Sequence, residues 1–252
     1  MTKAHLFLGL FLCLSHVVRG EGTAERFQAA NKAYENGDFE QAATAYEALL
    51  SDGFESAGLH YNLGNACFRQ GKLGRAILQY EKALLLQPGD ASILHNLEFA
   101  RQRTVDKFEE VPDFFLRAWW HRLRNLATSG VWSFIAAFLW LAGFCALALW
   151  QLSRERRTRK ASFLAGIALL LVSILPLSLA LSRTAWEQHS GQAIISAGTA
   201  SLRSAPDEAG TELYLLHEGT KLDMLEKLGD WQKVQLPNGE EGWLPDGAFE
   251  EI

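Results

Sequence analysis

Cysteine is scarce in this chain: 252 residues contain three, Cys13, Cys67 and Cys145. Cys13 and Cys145 fall in apolar runs, so the polar parts keep one thiol, which excludes a disulfide framework. The seven histidines are scattered, and no two sit with cysteine or carboxylates at the spacing of a metal site. A nucleophile paired with a base and a glycine-rich phosphate loop are missing too, so the chain reads as non-enzymatic, with no cofactor and no metal. The net charge is −5 and no basic stripe occurs away from the apolar runs, which sets nucleic acid aside as a partner.

The other absence is of charge. Residues 125–153 and 161–182 contain no Lys, Arg, Asp or Glu. Each run reaches the roughly 20 apolar residues that cross a hydrocarbon core at about 1.5 Å per residue. We therefore expect transmembrane helices over 129–151 and 162–182, joined by a basic loop, 152–161. No ionisable residue inside either span points to ion transport. The loop crowds Arg154, Arg156, Arg157, Arg159 and Lys160, and short loops of this kind stay cytoplasmic. Two crossings return the chain to its starting side, so both flanking regions are expected outside, on the periplasmic face of a bacterial inner membrane. Arg117, Arg122 and Arg124, just before the first span, oppose this orientation with a lower density of charge.

The N-terminus agrees with the loop. Lys3, the apolar Leu6–Leu14 and Val18-Arg19-Gly20 form the three regions of a secretory signal over 1–20, cleaved after Gly20 or kept as an anchor. Either way, residue 21 onward is exported.

Over residues 23–107 the chain aligns with itself when shifted by 34 residues: Asn31 with Asn65, Gly37 with Gly71, Ala42 with Ala76, Tyr46 with Tyr80. That is the tetratricopeptide period. Glycine serves the tight turn between two antiparallel helices, alanine their close approach, and tyrosine plugs the seam. AGLHYNLGNACFRQGKLGRAILQYEKALLLQPGD (57–90) is nearly a full motif, stopped by Pro88. A third copy starts at Ala91 and breaks into FARQRTVDKFEE, read as a polar capping helix, for about five helices in all. The first helices of the repeats line the concave face and offer Phe27, Asn31, Tyr34 and Glu35, then Tyr61, Asn65, Phe68 and Arg69, then His95, Phe99 and Arg103. Aromatics mixed with Asn and Arg suit a peptide segment of a partner protein, although Phe27, Tyr61 and Phe68 equally suit packing between helices. Phe27 and Tyr61 stand where a carboxylate clamp would use lysine, so no clamp is expected. Cys67 takes a helix-packing position.

FFLRAWWHRLRNL (114–126) puts Phe115, Trp119 and Leu123 on one face and reads as an interfacial amphipathic helix. Trp119 and Trp120 read as an aromatic belt rather than a stacking pair, continued by Trp132, Trp150 and Trp186. Residues 190–252 turn to about five short β-rich runs, with Asn238-Gly239 as a hairpin signal and Glu218-Gly219 as a simple turn. SLRSAP (201–206), LHEGTKLDMLE (216–226), GDWQKV (229–234) and GWL (242–244) resemble the bacterial SH3 domain. Trp231 and Trp243 are its candidate ligand residues, with a half-buried structural role as the other reading.

The expected architecture is a multi-domain membrane protein: an all-α tetratricopeptide solenoid, a two-helix transmembrane hairpin and a small all-β SH3-like barrel. That order, with YNLGNACFRQGKLGRAILQYEKALLLQPGD and HNLEFARQR (95–103), resembles the BatE family of the Bacteroides aerotolerance operon. The resemblance implies work beside membrane-anchored von Willebrand factor A-type proteins and a MoxR-type ATPase in envelope stress or aerotolerance. The function expected is that of an envelope scaffold, the repeats holding one partner and the SH3 domain a second partner or the cell wall; the alternative is a sensor that reads peptidoglycan through the SH3 domain.

Overall fold

The computed structural model describes residues 22–109, 114–188 and 191–252, so the secretory signal lies outside the described residues. Two compact units result. One joins the repeats to the C-terminal β-domain (up to residue 85, 91–109 and 193–252), and the other holds 86–90 and 110–192.

In the first unit, five helices follow the repeat: α1 (22–35), α2 (Phe39–Ser51), α3 (Ala57–Arg69), α4 (Leu73–Leu86) and α5 (Ala91–Arg101). Gly37 and Gly71 take φ of +89° and +77° in the turns within each pair, a region closed to most side chains. Ser56 starts α3 by accepting from Leu59 N at 3.1 Å. Ala42 and Ala76 are fully buried, and a Cβ on Gly64 would lie 2.7 Å from the Tyr80 ring, so small residues set the distance between helices. Cys67 is buried in this core, and burial pushes its thiol pKa up.

The expected polar capping helix does not form. α5 stops at Arg101, whose carbonyl accepts from Thr104 Oγ1 and Lys107 Nζ, both at 2.8 Å, and the chain leaves the helical path over 104–109. The reason lies in the β-domain. Phe108 packs against its core and meets Tyr214 edge-on at 6.1 Å, burial that a helix exposed to water would forgo.

That domain has seven strands, more than the five or so expected: β1 (Gln192–Ile195), β2 (Thr199–Arg203), β3 (Glu212–His217), β4 (Lys221–Leu228), β5 (Trp231–Gln235), β6 (Glu241–Pro245) and β7 (Phe249–Glu251). They form an open sheet ordered β3-β2-β6-β5-β4-β1-β7. Asn238-Gly239 makes the β5–β6 hairpin as expected, with Gly239 at φ +87° and Val234 opposite Gly242. The extra strands arise because the run 221–236 holds both β4 and β5, and because the short β7 joins β1 at the ends of the domain, pairing Ala193 with Glu251 and Ile195 with Phe249.

These ends dock on the repeats. Ile194 is fully buried within the helical core, a gain of about 1.5–3 kcal/mol, and Ile252 packs against the same cluster. Glu218 is more than a turn residue: its Oε2 accepts from Gly74 N at 3.0 Å, so a carboxylate from the β-domain satisfies a free amide in the first turn of α4. A Cβ on Gly74 would lie 2.7 Å from the Ile195 carbonyl, so only glycine lets the two backbones meet. The side chain of Glu81 on α4 is 10% exposed and binds Arg101 and Lys221, the latter at 3.0 Å. Asp106 accepts from His217 N at 2.7 Å and Thr220 Oγ1 at 2.6 Å. The β-domain thus takes the place of the missing capping helix.

The second unit contains α6 (Phe115–Arg124), α7 (Ser129–Leu152), α8 (Arg156–Val172) and α9 (Ile174–Gln188). Ser129–Leu152 and Arg156–Glu187 are long and apolar enough to cross a membrane, and most of both surfaces is bare of protein. A soluble core helix would bury that surface. Arg156 to Lys160 already belong to α8, so the basic connection is shorter than expected. Ser173 breaks the second helix one turn before Pro176, which cannot donate to it. Gly143 and Gly166 face each other across α7 and α8: a Cβ on Gly166 would lie 2.8 Å from Leu147 and 3.1 Å from the Gly143 carbonyl.

Candidate functional site

The first helices of the repeats carry two copies of one polar arrangement. Asn31 Oδ1 accepts from Tyr46 OH at 2.7 Å and Asn62 Nδ2 at 2.9 Å. One repeat later Asn65 Oδ1 accepts from Tyr80 OH at 2.8 Å and Asn96 Nδ2 at 2.9 Å, and Asn96 Nδ2 also reaches Tyr61 OH at 3.0 Å. Each asparagine oxygen is therefore committed to the scaffold. Burial, slightly offset by the hydrogen bond with Asn62, pushes the Tyr46 hydroxyl up to about 12, so it stays a donor at any ordinary pH. Asn62 and Asn96 complete both copies and were not among the expected site residues, although they too stand one period apart.

Around these asparagines the aromatic residues pair. Phe27 meets Tyr46 at 5.9 Å, Tyr34 meets Phe39 at 5.2 Å edge-on, and Tyr61 meets Tyr80 at 6.1 Å. These expected contact residues are half-buried, so each spends part of its surface on packing. The α3–α5 end is more open. Phe68 lies 5.6 Å from Phe99, and His95 stacks on Phe99 at 6.4 Å. Arg103 covers Phe99 at 3.6 Å and donates from Nη1 to the Phe99 carbonyl at 3.0 Å, and Arg69 covers Phe39 at 4.3 Å; both arginines are exposed. Phe68, His95, Phe99 and Arg103 form one patch where a partner would meet apolar rings and a fixed positive charge.

In the β-domain, Trp231 and Trp243 lie on the outer face of neighbouring strands, both half-buried, while Gln232, Val234, Gly242 and Leu244 turn inward. Trp231 pairs with Pro245, and Trp243 pairs with Lys233 on one side and Arg203 on the other. Trp231 and Trp243 are thus diagonal neighbours, positions whose backbones generally lie about 7–8 Å apart. Lys233 is bound to Glu241 at 2.6 Å, which leaves the face mixed rather than strongly basic.

Two family matches fit this geometry. The tetratricopeptide repeat matches residues 27–91, and the bacterial SH3 domain matches residues 198–249. No curated protein matches the chain significantly. The helical region is thus tetratricopeptide-like and the β-sheet SH3-like, two kinds of module that bind proteins or cell wall. Asp106, Phe108 and Ile194, which make docking contacts, lie outside both matches, whereas Glu81 and its partner Lys221 lie within them.

Proposed function

We propose that the chain is a non-enzymatic, membrane-anchored scaffold of the bacterial envelope, in which the repeats hold a segment of a partner protein and the SH3-like sheet contacts a second partner. The observation that carries this reading is that the β-domain docks on α4 and on the segment after α5 through Gly74, Glu81 and Asp106 and leaves Phe68, His95, Phe99 and Arg103 uncovered. One unit then offers two separate faces. Since one half of this unit precedes the apolar helices and the other follows them, their contact requires an even number of crossings, which a two-pass hairpin meets. The basic connection supports a periplasmic position for both modules. The resemblance to the BatE family supports von Willebrand factor A-type membrane proteins as partners.

Recovery of partners with the intact, affinity-tagged protein from its native membrane tests this reading. Arg69→Glu and Arg103→Glu reverse two exposed cations and are expected to abolish recovery of A-domain proteins; undiminished recovery would show that the concave face is not the docking surface. A second reading, a peptidoglycan sensor, rests on the outward Trp231 and Trp243. Cosedimentation of the intact protein with wall sacculi, lost in Trp231→Ala and Trp243→Ala, would favour it, and no sedimentation of the parent protein would end it.

A further inference from the structure

At the connected end of the apolar hairpin, where α7 gives way to α8, a hollow of about 480 Å³ lies outside both family matches. Its walls are Trp150 from the last turn of α7 and Arg156, Arg159, Lys160 and Phe163 from the start of α8. The spacing explains why these side chains meet. Positions 156, 159, 160 and 163 recur at three and four residues, so three cations and one ring share a face of the helix. Phe163 packs on Trp150 at 5.0 Å between ring centroids, and the Arg159 guanidinium lies 6.0 Å from the centre of the Trp150 ring. Arg156, Arg159 and Lys160 are exposed, so their donors are open to a ligand.

A basic connection that served only to orient the hairpin would need charge and no particular placement. Residues 152–163 carry five cations and one acid, Glu155, whose Oε2 accepts from Thr158 Oγ1 at 2.9 Å. Three of the five cations line one hollow together with two aromatic rings, and Arg154 and Arg157 lie outside it. Charge gathered in this way calls for an anion, and donors from one helical turn match the oxygens of a phosphate. Beyond the cations the same face of α8 becomes apolar, and Phe163, Ile167 and Leu171 are exposed along it. From Lys160 to Leu171 a helix rises roughly 16 Å, about half of a hydrocarbon core. A free anion would use the cations and leave that stripe bare, whereas a phospholipid uses both.

We propose that this hollow binds the headgroup of an anionic phospholipid, its phosphate held by Arg156, Arg159 and Lys160 and its acyl chains lying along Ile167 and Leu171. Trp150 and Phe163 border the glycerol region between the two. The proposal rests on the membrane-anchored reading above. A zwitterionic lipid brings its own ammonium into a cluster of cations, and the repulsion removes its preference for the site.

The test uses the full chain. Flotation with phosphatidylcholine vesicles comes first, because it reads anchoring alone: a protein that stays behind is not membrane-anchored, and the lipid site falls with that reading. A protein that floats is then purified in a neutral detergent, whose micelles carry no surface potential, so that only direct contacts register. Phosphatidylglycerol, phosphatidylcholine or inorganic phosphate is added, thermal unfolding is followed, and retained lipid is weighed by native mass spectrometry. The expected result is a rise in Tm with phosphatidylglycerol only, retention of about one such lipid, and affinity lowered about tenfold in Arg159→Gln, as for one lost charge-assisted contact. Arg154→Gln and Arg157→Gln remove the same charge outside the hollow and should change the affinity less than about twofold. All three side chains are exposed, so the variants should fold as the parent does. Equal losses in Arg157→Gln and Arg159→Gln would mean a diffuse attraction and overturn the site. Equal stabilisation by the two lipids overturns it too, as does inorganic phosphate matching phosphatidylglycerol, which would make this a free-anion site. A protein that floats yet gains nothing from phosphatidylglycerol keeps its anchor and loses the site.

Discussion

At the scale of single residues, the asparagines show how one side chain answers to two demands. Asn31 and Asn65 stand out in the sequence as polar groups on a binding face, yet each spends its oxygen on a buried tyrosine hydroxyl and a neighbouring asparagine. Asn65→Ala would strand the Tyr80 hydroxyl and is expected to cost about 2–3 kcal/mol in thermal or denaturant unfolding, before any ligand is considered. A loss below about 0.5 kcal/mol would mean that the network is ornamental. Glycines supply the sharper contrast. Gly58 and Gly74 both lie in helices, where alanine is worth about 0.5–1 kcal/mol more. A Cβ on Gly58 meets nothing within 4 Å, whereas one on Gly74 meets the Ile195 carbonyl at 2.7 Å. Gly58→Ala should therefore stabilise the protein and Gly74→Ala destabilise it by about 1–3 kcal/mol, an opposition of sign that propensity alone cannot produce. Equal effects in unfolding experiments would refute the close backbone approach.

At the scale of elements, legibility follows the reach of each interaction. The repeat helices are visible in the sequence because Gly37, Ala42 and Tyr46 act on partners within the same 34-residue period. The apolar helices are visible because their lengths match a bilayer. The ends are hidden: α5 stops at Arg101 because Asp106 and Phe108 have partners more than a hundred residues away, His217 and Tyr214, and β7 forms only by pairing with β1 at the other end of the domain, which no local pattern encodes. Gly143 and Gly166 look unremarkable singly and matter only as a facing pair. Because their approach sets the spacing of α7 and α8, Gly166→Leu is expected to lower the Tm of the detergent-solubilised protein, at a cost of about 1–3 kcal/mol. Gly130→Leu, where a Cβ meets only Thr128 Oγ1 at 3.9 Å, is the matched control and should change little.

At the scale of the whole molecule, Glu81 and Asp106 are among the groups that hold the repeats and the SH3-like sheet together, which makes their union sensitive to acid. Burial opposes ionisation of Glu81, but Lys221 and Arg101 outweigh it and hold the carboxyl below its ordinary pKa. Burial likewise opposes ionisation of Asp106, and hydrogen bonds from Thr220 and His217 outweigh it. A depressed folded pKa means that each acid contributes its stability fully above its unfolded value, near 4, and loses it as pH falls through the folded value. Unfolding of the intact protein between pH 7 and 3 is therefore expected to show a flat upper range and a loss of about 1–3 kcal/mol below about pH 4, the worth of charge-assisted hydrogen bonds. Glu81→Gln with Asp106→Asn should be less stable at pH 7 and should flatten that acid limb. A parallel acid limb in the double variant would place the sensitivity elsewhere and remove the two acids as the fastening. Separation of the halves would also expose Ile194 and Phe108, so hydrogen exchange at pH 7 should show the double variant opening at β1 and at the first turn of α4 together, as one joint rather than two.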